Sequence, residues 1–185
     1  MRELFLKPPE FVVVEGKKYK INTDFRVWIK ISEIFSDSDI PFEKKLVNAL
    51  ILAYDKKLPP HFDTAVNALL DFLCLGKYQK KGNTTGGERL LSYSLDEGLI
   101  YAAFMKEYNI DLNSAKLHWW SFANLLGSVG EDTMLMKVIG FRGVKCEKIA
   151  DKNLKSYYRK MKNKYRIKNN TNEENIAKIM EEATV

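Results

Sequence analysis

The sequence predicts a mainly α fold: a compact body of about seven helices carrying a small β-hairpin near its N-terminus. Three observations lead there. Apolar residues recur at i, i+3, i+4 and i+7 through most of the chain, the spacing of one helix face rather than of a strand. Good N-cap residues open these runs, and glycines or a Pro-Pro pair close them. Only one short run, FVVVEGKKYKI at 11–21, joins β-branched residues to a turn, at Glu15-Gly16.

After that hairpin, Asn22, Thr23 and Asp24 are all suitable N-caps, and the helix that follows carries FRVWIKISEIF, with Phe25, Trp28, Ile29 and Ile31 on its apolar stripe. SDSD at 36–39 is a loop, and Pro41 suits a first helical position. Residues 41–55 place Phe42, Leu46, Ala49, Leu50 and Ala53 on one face, widened by Val47, Ile51 and Tyr54, so this helix should be largely buried. Leu58-Pro59-Pro60 ends it. The next helix runs from about His61 to Leu75, is also expected to be largely buried, and stops at Gly76 in a left-handed turn.

The polar stretch at about 77–90 breaks every pattern and reads as a mobile surface loop; its glycines do not fit a phosphate-binding spacing. Ser94-Leu-Asp-Glu97 reads as a capping box, opening a central helix to about 108 that is apolar nearly all round. Asp111 or Asn113 should cap its partner, about 113–127, with a thin polar line at Ser114, His118 and Ser121. This pair should form the core. A short helix begins at Asp132 or Thr133 and ends at Gly140. Asp151 caps the last helix, where Leu154, Tyr157, Tyr158, Met161 and Tyr165 form an amphipathic stripe opposite a Lys/Arg-rich face. From 169 to 185 the composition turns polar and reads as a weakly ordered tail, leaving residues 1–168 as one helical domain.

Charge is unevenly placed. Between Lys137 and Lys168 twelve Lys/Arg face two acids, a net +10 against +6 for the whole chain, which leaves −4 elsewhere. Such a layout steers acidic partners, nucleic acid or a second copy of the chain. No apolar run approaches the roughly 18 residues of a membrane span, and the first residues lack the apolar stretch of a signal sequence, so a cytoplasmic protein is expected. Cys74 and Cys146 have no partner at metal-ligand spacing, and a disulfide between them is not expected in a cytosolic chain. No metal or other cofactor is expected.

Candidate chemistry is sparse. His118, one of two histidines, has serines a helical turn away, but a nucleophile also needs an oriented base, and a polar line along a packed helix reads first as hydrogen bonding. His61 reads as a helix-start residue. Trp119 and Trp120 point about 100° apart on a helix, so at least one belongs to the core, while the other is core or an exposed anchor. The basic helix, with Lys152, Lys155, Arg159, Lys160 and Lys162, is the best candidate for binding; its tyrosines suit single-stranded nucleic acid if exposed, and a protein contact or a solvated face if they pack inward.

One ordered set of segments carries a resemblance. TDFRVWIK at 23–30, LDEGLIYAAF at 95–104, IDL at 110–112, LHWWSF at 117–122, EDT at 131–133, GFR at 140–142 and the K-x-Y-Y-R-K-x-K-x-K-Y run at 155–165 occur in sequence. Together, over about residues 10–168, they resemble a family of small proteins from tailed bacteriophages and prophages of Gram-positive bacteria, encoded in the tail module near the tape-measure gene. The resemblance implies a non-enzymatic role in tail morphogenesis in the host-cell cytoplasm, as an assembly chaperone that coats the tape-measure protein or as a minor component of the virion. It implies tail proteins, or further copies of the chain, as partners. A nucleic-acid-binding module is the less favoured alternative.

Overall fold

The structure, a computed structural model, describes residues 7–54, 57–78 and 88–167. Strands β1 (Phe11–Val14) and β2 (Lys17–Lys20) pair antiparallel, with Phe11 opposite Lys20 and Val14 opposite Lys17. Glu15 and Gly16 both have positive φ, 50° and 75°. Two successive left-handed residues make the two-residue turn whose twist matches that of the strands. Alternation does the rest: Val12, Val14 and Tyr19 face inward, Phe11 and Val13 outward.

Seven α-helices follow among the described residues: α1 (Phe25–Ser36), α2 (Phe42–Ala53), α3 (Phe62–Leu73), α4 (Glu97–Tyr108), α5 (Trp119–Leu126), α6 (Met134–Gly143) and α7 (Lys152–Lys164). A 3-10 turn at Cys146–Lys148 joins α6 to α7. The mainly α fold with its small hairpin is therefore as expected. Asp24, Thr133 and Asp151 cap α1, α6 and α7 through their side chains. Gly76 at the end of α3 has φ 68° and donates its N–H to the Asp71 carbonyl, the left-handed stop expected there.

The core is built around α5. Phe122 is fully enclosed and its ring stacks on Phe25 at 4.7 Å, Phe104 at 5.1 Å and Trp119 at 6.0 Å. Trp28, equally enclosed, meets Phe72 at 4.7 Å and donates its indole N–H to the Asn22 carbonyl. Aromatic pairs at these separations contribute about 0.5–1.5 kcal/mol beyond their burial. The centre thus joins α1, α3, α4 and α5, rather than the α4–α5 pair alone.

Several local expectations are corrected. The helix expected at 113–127 is only Trp119–Leu126. Asp111 closes a turn instead, accepting from the Asn113 N–H and the Ser114 hydroxyl. The chain then pairs alongside the residues that open α1, with Phe25 N–H bonded to the Leu117 carbonyl and Trp119 N–H to the Thr23 carbonyl. The capping box at Ser94 is absent: the Tyr93 and Ser94 amides both donate to Glu33 of α1, and α4 begins at Glu97. α2 is not largely buried, since Phe42, Val47 and Ile51 are 63, 46 and 64% exposed. α4 likewise exposes Ala102 and Met105. Gly140 does not end α6, which continues to Gly143 because a helical glycine costs only about 1 kcal/mol. Cys74 and Cys146 are both free thiols. Of the loop expected at about 77–90, residues 79–87 lie outside the described residues, as does the tail at 169–185.

Candidate partner-binding surface

α7 is positioned by both its ends. At its start the Asp151 carboxylate accepts from the Leu154 amide at 2.7 Å. At its end the Arg142 guanidinium donates to the Tyr165 carbonyl at 2.6 Å. The same guanidinium grips Asp96 with two parallel bonds, 2.6 and 2.8 Å, and also reaches the Leu90 carbonyl at 2.9 Å. Asp96 in turn accepts from the Ser92 amide at 3.0 Å. Arg142 and Asp96 are 6 and 2% exposed. A bidentate pair so buried persists only because its remaining hydrogen-bonding capacity is also used. This clasp links α4, α6, α7 and the segment at 90–92.

Along its length α7 packs by rings against Phe141 of α6. Tyr165 stacks on Phe141 at 5.8 Å, and Tyr157 and Tyr158 meet it at 6.3 and 6.2 Å. No residue of α7 is fully buried, and Leu154 and Tyr157 remain about half exposed. Six of its thirteen residues are Lys or Arg and none is acidic. Lys152, Arg159 and Lys160 are exposed and Lys155 is half-buried. Lys162 is committed within the fold, bonding Glu88 at 2.9 Å over the Val144 carbonyl.

The two tryptophans lie elsewhere. Trp119 is enclosed and donates its indole N–H to the Leu73 carbonyl; Trp120 is half-buried and donates to the Phe72 carbonyl. Both fasten α5 to the end of α3, so the structure does not bring them together with the basic residues. His118 is the N-cap of α5. Its Nδ1 accepts from the Trp120 amide at 3.0 Å, which makes Nε2 the protonated nitrogen facing the Pro9 carbonyl at 3.0 Å. Burial holds its pKa below the usual imidazole range, with the Pro9 bond and Glu10 opposing that shift. The Ser114 hydroxyl bonds the Asp111 carboxylate at 2.9 Å. Among the described residues no group of three or more His, Cys, Asp or Glu is placed to hold a metal ion, and no helix is long and apolar enough to cross a membrane.

A second surface feature was not legible in the sequence. Between α1 and α4 runs a groove of about 970 Å³. Phe25, Ile29, Tyr101, Leu112 and Phe122 line it. Arg26, Lys30 and Glu33 of α1 and Glu97 of α4 also line it, Arg26 being bonded to Asp24 and to the Leu112 and Ala115 carbonyls. Its two sides come from segments some 70 residues apart, and the only local sign is a pair of cations one helical turn apart on α1.

The family model described as Bacteriophage Gp15 protein matches residues 8–167. The chain belongs to that family. No curated protein and no solved structure matches the chain. The Gp15 match takes in every described element from the hairpin to α7, so the clasp, the groove and the basic face are all parts of the Gp15 body. Residues 168–185 lie beyond it.

Proposed function

We propose that this phage protein is a non-enzymatic tail-morphogenesis factor, an assembly chaperone that binds the tape-measure protein in the host cytoplasm, with the outer face of α7 as its docking surface. The observation that carries this is α7 itself. It is a helix without a single acidic or fully buried residue, clasped rigidly at its C-terminal end, with Lys152, Arg159, Lys160 and the half-exposed Leu154 and Tyr157 turned outward. A fixed basic surface interrupted by apolar and aromatic contacts suits a protein partner more than free solvent. The run at 155–165, part of the resemblance to tail-module proteins, lies on this helix and its end. The −4 balance of the remaining chain lets copies of the protein meet head to tail along a client. A non-enzymatic reading is supported by His118, whose two nitrogens are both spent on backbone bonds.

The test is co-expression with the tape-measure protein of the same phage, followed by pull-down and light scattering. The expected result is a soluble complex holding many copies of this chain, lost when Lys152, Arg159 and Lys160 are changed together to Glu. A chain that elutes alone while the tape-measure protein aggregates overturns the proposal. Presence in purified virions by mass spectrometry would mark a structural component instead. Binding to DNA or RNA that collapses with added salt would mark a nucleic-acid module.

A further inference from the structure

We propose that the groove between α1 and α4 takes the outward face of α2 from a second copy of this chain, in a head-to-tail contact. At about 970 Å³ the groove stands near the top of the roughly 300–1,000 Å³ typical of ligand sites. Ile29, Ile34, Leu52, Ile100 and Tyr101 give it an apolar lining, which suits the side chains projecting from one face of a helix. Of the four charged side chains that line it, Arg26 and Glu33 are bonded within the fold. Lys30 of α1 and Glu97 of α4 are exposed, and neither is bonded among the described residues.

Among the described residues, two helices expose a pair of large apolar side chains one turn apart. On α2 these are Val47 and Ile51, 46 and 64% exposed; on α7 they are Leu154 and Tyr157. Charge separates the two candidates. α7 carries six Lys or Arg and no acid, and would set its cations against Lys30. On α2, Glu43 and Lys44 flank Val47 on opposite sides, at about 40° and about 60° of helix rotation. Both are exposed and neither is bonded among the described residues. One free carboxylate and one free ammonium on α2 thus match one free ammonium and one free carboxylate at the groove.

The chain cannot fill its own groove with this face. Leu52 of α2 lines the groove, and Ile51 and Val47 lie about 100° and about 140° round the helix from it. Ridge and groove are therefore different surfaces of one body. A contact between the ridge of one copy and the groove of the next leaves a free groove at one end and a free ridge at the other. Contacts of that kind build chains or rings rather than a closed pair. This one needs no client, so it stands or falls apart from the tape-measure reading.

The experiment is light scattering of the full chain, alone, over a concentration series. By mass action the weight-average mass should rise at least ~2-fold between about 5 and about 500 µM. Two variants each remove one surface. Val47→Asp/Ile51→Asp changes exposed ridge residues, and Gly98→Trp adds bulk at a groove position where a Cβ meets no atom within 4 Å. Each should remain monomeric alone. Mixed, they should form a 1:1 complex and grow no further, because the first keeps its groove and the second its ridge. The exposed charges give a check that does not depend on Gly98: Glu43→Lys should weaken the association several-fold, and adding Lys30→Glu should restore it. Wild type that stays monomeric throughout overturns the proposal, as does a mixture of the two variants that fails to combine. Association that ignores Gly98→Trp, and that Lys30→Glu does not restore in Glu43→Lys, overturns it in favour of a symmetric contact between two α2 faces.

Discussion

The two halves of the molecule are held together by different physics. Around α5, rings do the holding: Phe122, Phe25, Phe104, Trp119 and Trp28 stack in one continuous cluster with almost no exposed surface. Around α7 no residue of the helix is fully buried, and Arg142 alone joins four segments through Asp96, Leu90 and Tyr165. A cluster of many contacts degrades gradually as members are trimmed. A charged clasp fails when either partner leaves, because the other is stranded without water or counterion. The arrangement leaves the basic face of α7 outward while fixing its position.

The largest effects should come from cutting each half at its centre. Phe122→Ala removes a fully enclosed ring and should cost about 3–5 kcal/mol, read as a lowered urea midpoint for the whole fold. Arg142→Ala should cost a similar ~3–5 kcal/mol by leaving Asp96 buried and unpaired. The difference lies in where the loss appears. Hydrogen exchange in Arg142→Ala should accelerate first across 152–165, whereas Phe122→Ala should open α1 and α5 with it. The double variant Asp96→Leu/Arg142→Met should recover much of the stability, since a buried pair is often replaceable by apolar packing. A double variant no better than Arg142→Ala would show that the bonds to Tyr165 and Leu90 matter more than the pairing.

The same division decided what could be read from the sequence. Helices with a one-sided apolar stripe and their own cap were legible: α1 after Asp24, α3 ending at Gly76, α7 after Asp151. What was missed depends on partners far along the chain. Asp111 is a good cap by type, but the α1 N-terminus, some 90 residues away, takes the Leu117 carbonyl, while Arg26 takes those of Leu112 and Ala115, and so holds 112–118 out of a helix. Ser94 lost its capping role because Glu33 supplies the carboxylate first. Asp96 falls in the first turn expected after Ser94, Arg142 falls beyond the stop expected at Gly140, and nothing local marks them as a buried pair. The basic face of α7 was legible from charge counting alone, whereas the groove, made by packing, was not.

A smaller effect tests the seam where the hairpin side meets the core. His118 caps α5 as neutral imidazole, and its folded pKa is depressed by burial. The unfolded chain takes up a proton near about 6.5, while the folded chain resists until lower pH. Its contribution is therefore complete above that value and is lost as pH falls through the folded pKa. Urea midpoints should drop between about pH 8 and about pH 5. His118→Asn keeps an N-cap acceptor without the titration and should flatten that drop. An identical pH slope in the variant would assign the acid sensitivity to other groups.

The smallest effect on stability belongs to the surface proposed to matter most for function. Lys152, Arg159 and Lys160 are exposed, and none of them takes part in the clasp. Changing all three to Glu should alter stability by no more than about 0.5 kcal/mol per site. Asp151 caps α7 at its N-terminus, where an added acid at 152 is tolerated by the helix dipole. Thermal melts of wild type and variant should thus nearly coincide while tape-measure co-purification disappears. That separation is what the architecture makes possible: the clasp on the inner side holds α7 in place, so its outer charges can be reversed without releasing it. A variant that melts markedly lower would show instead that these cations support the fold, and its loss of binding would then say nothing about a docking surface.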